Sequence, residues 1–422
     1  MIHVWDSELI RKVLHASDNF RVFLHPNATA ILGPKNIAFM HGPDHTALRK
    51  ALIPLFTRRA LAAYLPIQEG LIRRAFADWL AQPGAATVPE PIRFRIRDLN
   101  IATSTEVFVG AYMDDAQRAA FNANYLAVTL GFLAFPIALP GTALWRAIQA
   151  RKAIVRTLKE FAAQSKARMR AGEAPRCLLD FWMEAIVPEI DAAAAAGEPA
   201  PPHSSDQEIA EVMLDFLFAS QDASTSSLIW SVALLAEHPA VLARVRAEQA
   251  AVRPHDEPVS YELIEQMPYT RAVVREVLRL CPPATAVPHV AVAAAPLGDT
   301  GYVVPKGAIV FPSIWHAHRL DGGVPDADRF DPDRYSSERA EDVRFAKRFL
   351  TFGHGPHYCM GREYAMNHLV CFVALLATSL DWTRHPSPDV RDPDELLFTP
   401  TVIPPDGVRV ILRARREAEP HA

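Results

Sequence analysis

The sequence predicts a mainly α protein with a minor β part. Apolar residues recur at helical spacing through most of the chain before Pro282. Short β-like runs (290–292, 302–304, 309–311 and 408–412) cluster after Pro288 and at the C-terminus, between Gly and Pro turns. The 35 prolines in 422 residues exceed the usual share of about 5% and argue against a repetitive bundle or coiled coil.

Taken in order, the first helix follows Asp6 or Ser7, either of which suits an N-cap, and places Leu9, Ile10, Val13 and Leu14 on one face. From 45 to 80 the pattern is helical, with Pro43 before it and a break expected at Pro66. Residues 92–96 alternate apolar and basic, which predicts a short strand or an extended entry, and 98–109 predicts a helix. No charged residue lies between Ala119 and Trp145. That length matches a membrane span, but Pro136, Pro140 and Gly141 interrupt it. The expectation is two buried helices joined by a loop, or an apolar lip that touches a membrane surface or admits an apolar ligand. A basic helix follows over 146–171, then a Pro/Ala-rich linker over 191–205. Residues 206–235 form a long apolar helix with a polar centre, Ser220 to Ser227, which suggests a core-spanning helix offering hydroxyls to a site.

Composition narrows the function. A net charge of −4, from 44 Lys+Arg against 48 Asp+Glu, argues against a nucleic-acid partner. Cys177, Cys281, Cys359 and Cys371 are too few and scattered for a disulfide scaffold, and no CxxC zinc spacing occurs. The start shows no basic and apolar leader of a signal peptide.

The sharpest motif is Phe352-Gly353-His354-Gly355-Pro356-His357-Tyr358-Cys359-Met360-Gly361. Its glycines describe a tight loop that can aim a sulfur and point N–H groups at it. The helix expected from Arg362 places Cys359 at a helix N-terminus, where negative charge is favoured. A lone thiolate suits haem iron, whereas zinc requires several ligands. Glu276 and Arg279, at i and i+3, share one helix face and can join a polar cluster.

These residues resemble the cytochromes P450. Phe352, Gly355, Cys359 and Gly361 match the haem-binding loop, and Glu276-Val-Leu-Arg279 matches the E-x-x-R helix. Phe330 to Tyr335 resembles the segment whose Arg334 completes that cluster. Ala219-Ser220-Gln221-Asp222-Ala223-Ser224 resembles the distal helix: Asp222 is the expected acid, but Ala223 replaces the usual threonine and the hydroxyl moves to Ser224. That step turns a side chain by about 100°, so Thr225, Ser226 or water enters as a substitute. The resemblance implies catalytic roles for Asp222, Ser224 and Thr225. It implies haem contacts for His45, Arg49, His289, Phe352, Gly353, His357, Cys359 and Gly361, with Cys359 the iron ligand and the basic residues on the propionates. Phe218, Ala219, Ala223, Thr285, Ala286 and Val287 would line the substrate pocket.

The distal sequence from Phe218 to Ser227, and 282–289, are most similar to the sterol C-22 desaturases. The resemblance implies a haem b oxidoreductase that introduces a C-22/C-23 double bond into a sterol. It would use dioxygen and NADPH electrons from a cytochrome P450 reductase, docked beside Lys347, Arg348 and Arg362. It implies placement at the endoplasmic reticulum membrane surface. Members usually begin with an anchor, a hinge, a helix and the first strands; residue 1 follows these, which implies a single, N-terminally short haem domain over 1–422: a truncated chain, a misassigned start or a divergent soluble member. Hydroxylation of a sterol, terpenoid or fatty acid is the alternative within the family; a non-catalytic haem- or lipid-binding remnant is the alternative outside it.

Overall fold

The computed structural model describes residues 1–320, 324–390, 397–398 and 401–415. The chain opens with β1 (Ile2–Val4), α1 (Ser7–His15) and β2 (Phe20–Val22). Asp6 caps α1 by accepting from the Leu9 N–H at 2.8 Å. Three short helices or turns of helix lead inward: α2 (Pro26–Leu32), α3 (Gly42–Ala51) and the 3-10 turn Ile53–Phe56. Then come α4 (Arg58–Ala81), β3 (Glu90–Pro91), α5 (Arg93–Val109), α6 (Asp115–Phe132), α7 (Ala143–Arg170) and α8 (Leu178–Ala196). The longest helix, α9 (Asp206–Glu237), is followed by α10 (Pro239–Val252), α11 (Tyr261–Glu265) and α12 (Pro268–Leu280). Strands β4 (His289–Ala291), β5 (Ala295–Pro296), β6 (Val303–Val304) and β7 (Ile309–Pro312) precede α13 (Ile314–Ala317) and α14 (Glu341–Arg344). The chain closes with α15 (Arg362–Ser379), β8 (Leu380–Arg384), β9 (Leu397–Phe398), β10 (Val402–Ile403) and β11 (Arg409–Ala414).

The fold is therefore mainly helical with small sheets, as the patterning predicts. The largest sheet has the order β1-β7-β4-β2, with β1 parallel to β7 and the other pairs antiparallel. Two of its four strands come from the opening residues. A second sheet, β3-β11-β8, ties the C-terminus to the start of α5.

Three local expectations are corrected. The strand expected over 92–96 is the first turn of α5: Ile92, Ile96 and Leu99 are buried at helical spacing while the arginines between them point outward. Five alternating residues fit both periods, and burial against α4 decides. Pro66 does not break α4. It lies on the exposed side, where the carbonyl it frees can meet water. The linker begins at Gly197 rather than Asp191, because the alanine run, with its high helix propensity, extends α8 until Gly197 adopts a left-handed conformation (φ +68°).

The uncharged stretch 119–145 is two helices and a loop. A Cβ at Gly131 would collide with the Ala147 methyl, so this glycine lets α6 and α7 lie in contact. The connecting residues 133–142 expose Leu133, Phe135 (76%), Ile137 and Leu139, and α6 adds Leu126 and Leu130. Among the described residues no single helix is long and apolar enough to cross a membrane.

Helix α9 belongs to two cores. Ile209 to Leu217 pack with α6, α7 and α8, whereas Leu228 to Leu235 pack with α12 and α15. The polar 220–227 segment lies between them. Ser205 and Glu208 form a reciprocal capping box at its start.

A buried ionic cluster joins α12 to the segment before α14. Glu276 accepts from Arg279 Nε and Nη2 at 2.8 Å each, from Arg334 Nε at 3.0 Å and from the Asp331 N–H at 3.0 Å. All three charged residues are inaccessible to water. The remaining guanidinium donors reach Glu341 and the carbonyls of Pro325, Asp326, Ala327 and Arg329. Arg334→Leu is expected to cost about 3–5 kcal/mol, because it leaves buried Glu341 and several carbonyls uncompensated. Urea unfolding checks this; an unchanged midpoint would show that the cluster contributes nothing net.

Candidate functional site

The loop before α15 is shaped by two glycines in the left-handed region, Gly353 (φ +75°) and Gly355 (φ +73°). Gly355 also lies against the backbone of α1, where a Cβ would meet the Leu14 carbonyl. The Cys359 N–H donates to the Phe352 carbonyl at 3.0 Å and the Gly353 N–H to the Leu350 carbonyl at 2.8 Å. Cys359 keeps an accessible surface although it lies deep among protein atoms. Burial pushes its thiol pKa up; the Gly361 N–H, Arg49 and Arg362 pull against that rise. The helix N-terminus and its donors therefore moderate the desolvation of the sulfur without outweighing it.

The loop is anchored by His318, a residue that no local pattern singles out. His318, fully buried, donates from Nδ1 to the Arg279 carbonyl at 2.9 Å and accepts at Nε2 from the Leu350 N–H at 3.0 Å. The two partners fix the neutral tautomer. Burial lowers its pKa to about 3, in agreement with that assignment. His318 thus joins the ionic cluster to the cysteine loop.

Beside Cys359 the fold gathers four histidines and an arginine. His45 and Arg49, one turn apart on α3, face the loop. Arg49 Nη2 donates to the Tyr358 carbonyl at 2.8 Å. His45 stacks on His357 with ring centroids 4.3 Å apart, and His41 meets His357 edge-on at 5.2 Å. His289 donates from β4 to the Val287 carbonyl. Burial first, then the neighbouring cations, lowers His45 to about 4 and His357 to about 3. His45 Nε2 is buried without a hydrogen-bond partner. Neutral imidazoles able to donate N–H groups beside the Arg49 cation, with one ring nitrogen lacking a partner, suit an anionic ligand. His41, one turn before His45, belongs to this group; the repeated four-residue spacing was the available signal. Among the described residues no cluster of three or more His, Cys, Asp or Glu side chains could cage a metal ion. A single thiolate beside carboxylate-binding groups is the donor set that fits a haem.

The polar centre of α9 is sorted by face. Ala219 is exposed and Ala223 and Phe218 are half-buried, whereas Ser224 and Thr225 are buried. Thr225 accepts from Asn100 Nδ2, which also reaches the Gln221 carbonyl at 2.6 Å. The accessible face at 219 and 223 is thus small and apolar, and the hydroxyl at 225 turns toward α5. Asp222 keeps one carboxyl oxygen without a partner, and burial pushes its pKa up to about 6 against the pull of Arg97. Phe218 stacks on Phe132 at 4.5 Å, which connects α9 to the end of α6 beside the apolar loop. Thr285 and Val287 are held extended by the Trp315 N–H and the Pro312 carbonyl, with Ala286 bridged to Ser313.

The comparisons agree with this arrangement. The cytochrome P450 family model matches residues 1–411. Cytochrome P450 710A4 of Arabidopsis thaliana is 42% identical over 424 aligned positions, covering 100% of this chain and 83% of its own length. A C-22 sterol desaturase of Aspergillus fumigatus is 36% identical, covering 91% of this chain and 76% of its own length. Among solved structures, retinoic acid bound cyanobacterial CYP120A1 has a TM-score of 0.81 at 25% identity, covering 98% of this chain and 89% of that one. With its cysteine loop, buried Glu276–Arg279–Arg334 cluster and fold all accounted for, the chain belongs to the cytochrome P450 family.

Proposed function

We propose that this P450 desaturates a sterol side chain between C-22 and C-23. The observation that carries the reading is the 36% identity, across 91% of the chain, to a protein named as a C-22 sterol desaturase. A thiolate-ligated haem, when bound, supplies oxidative C–H chemistry driven by dioxygen and reductase electrons.

In this reading Cys359 is the iron ligand, and Phe352, Gly353 and Gly361 shape its loop. His45, Arg49, His289, His357 and His41 hold the propionates. The pocket wall is Phe218, Ala219, Ala223, Thr285, Ala286 and Val287, small and apolar enough to admit a branched hydrocarbon tail. Asp222 holds and releases a proton beside that wall. Ser224 and Thr225 lie behind it, so their hydroxyls act through ordered water or the helix backbone rather than by direct contact. The exposed Leu133, Phe135, Ile137 and Leu139 rest on the endoplasmic reticulum membrane, from which a sterol enters. Lys347, Arg348 and Arg362, beside the cysteine loop, receive an acidic, NADPH-dependent reductase.

Hydroxylation of a sterol, terpenoid or fatty acid is the second reading; the name of the 42% identical plant relative specifies neither reaction. Incubation of the haem-loaded chain with reductase, NADPH and phytosterols separates the two by mass spectrometry. The expected product has lost two hydrogens; a product that has gained one oxygen would replace desaturation with hydroxylation.

Asp222 makes a second prediction. Its folded pKa, about 6, lies above the ordinary carboxylate value, so the folded chain binds the proton more tightly than the unfolded chain. Ionisation above that pH lowers stability, and the penalty fades as pH falls toward the unfolded value. Asp222→Asn is expected to raise the urea midpoint at about pH 7 and to lose that advantage at about pH 4. An equal midpoint difference at both values would contradict the assignment.

A further inference from the structure

Helix α9 carries a second buried carboxylate, two turns before Asp222 and on the same face: Asp215, 3% exposed. One oxygen accepts from Asn36 Nδ2 and the other from the Ile37 N–H at 3.1 Å. The Asn36 amide orientation is fixed, because its Oδ1 accepts from the Ala38 N–H at 2.9 Å. The Asn36 carbonyl in turn accepts from the Phe39 and Met40 N–H groups at 2.9 and 3.2 Å. Asn36 therefore organises the whole 33–41 loop, and Asp215 is the group that fastens Asn36 to α9.

This loop lies beside the site at both ends of its reach. Ile37, Phe39 and Met40 pack on the apolar cluster that also takes Phe216, Phe218 and Met360, the neighbour of Cys359. The loop then delivers His41, the N-cap position of α3, to the edge of His357. Burial pushes the Asp215 pKa well up, while the two N–H donors and Arg151 pull it back; both oxygens face donors, so the carboxylate is the form that the geometry accepts.

We propose that Asp215 is a positioning residue that latches the 33–41 loop onto α9 and thereby holds His41 in the histidine cluster. The proposal rests on the reading of that cluster as the propionate cradle, but its first readout does not.

The test uses an exchange of side chains. Asp215→Asn leaves one acceptor and turns an NH2 group toward one of two donors. Asn36→Asp places two carboxylates against each other. The double variant Asn36→Asp/Asp215→Asn restores every bond: Asn Nδ2 at 215 donates to Asp at 36, its Oδ1 accepts from the Ile37 N–H, and the second Asp oxygen accepts from the Ala38 N–H. Hydrogen exchange of the 36–40 amides in the haem-loaded full chain reads the latch, and haem transfer to apomyoglobin reads the cradle. Each single variant is expected to speed both rates about tenfold, and the double variant to return them to within about twofold of the parent. Should one single variant fail to fold, the other and the double variant still decide. Loop exchange unchanged in the single variants, or not restored in the double, overturns the latch. Restored exchange with haem release insensitive to all three variants overturns the coupling to His41 while leaving the latch and the family assignment intact.

Discussion

The Glu276 carboxylate, shared by Arg279 and Arg334 where no water reaches, is the interaction on which the site depends. Desolvating three charges is expensive, and mutual attraction offsets the cost only when the remaining donors are also satisfied. Here the leftover guanidinium N–H groups find Glu341 and backbone carbonyls between 325 and 329, so the cluster fixes an irregular segment that has little regular structure of its own. Its influence reaches the cysteine loop through hydrogen bonds at His318. The Arg279 carbonyl orients His318, His318 holds the Leu350 N–H, and the Leu350 carbonyl holds Gly353. A substitution in the cluster therefore disturbs the sulfur several bonds away without touching it.

Helix α9 holds its polar centre by a different arrangement of contacts. Its two apolar ends anchor in separate cores, which leaves the centre free to be polar. Two carboxylates on one face, Asp215 and Asp222, have contrasting surroundings. Burial pushes both pKa values up; Asp215 faces donors at both oxygens, whereas Asp222 keeps one oxygen without a partner. The difference lies in the facing segments: Asn36 and Ile37 supply donors to the first, and the second has only the longer-range charge of Arg97.

Much of this was legible in the sequence because the chemistry is local. The glycines around Cys359 and the i, i+3 spacing of Glu276 and Arg279 each describe a geometry within one turn or loop, and the structure contains both. The long helix over 206–235 was legible for the same reason, whereas 45–80, helical as expected, divides at 52–57 into α3, a 3-10 turn and α4 rather than at Pro66. What could not be read was set by distant partners. His318 matters because of Leu350, 32 residues on. Asn100 matters because it meets α9 more than a hundred residues later. Asp215 looked like one more polar residue in a helix until Asn36 was placed against it. The strand expected at 92–96 failed because five alternating residues satisfy either period until a neighbouring helix chooses one face. The shift of the distal hydroxyl to Ser224 was visible in the sequence, but the turning of Thr225 toward Asn100 was not.

The central claim is that this relay presents Cys359, and no other sulfur, to a haem. The most direct measurement is the carbon monoxide spectrum of the reduced, haem-loaded chain beside that of Cys359→His. The account predicts a thiolate-type Soret band for the parent and an imidazole-type band for the variant. A thiolate-type band that survives the substitution would assign the ligand to a different cysteine and contradict the account.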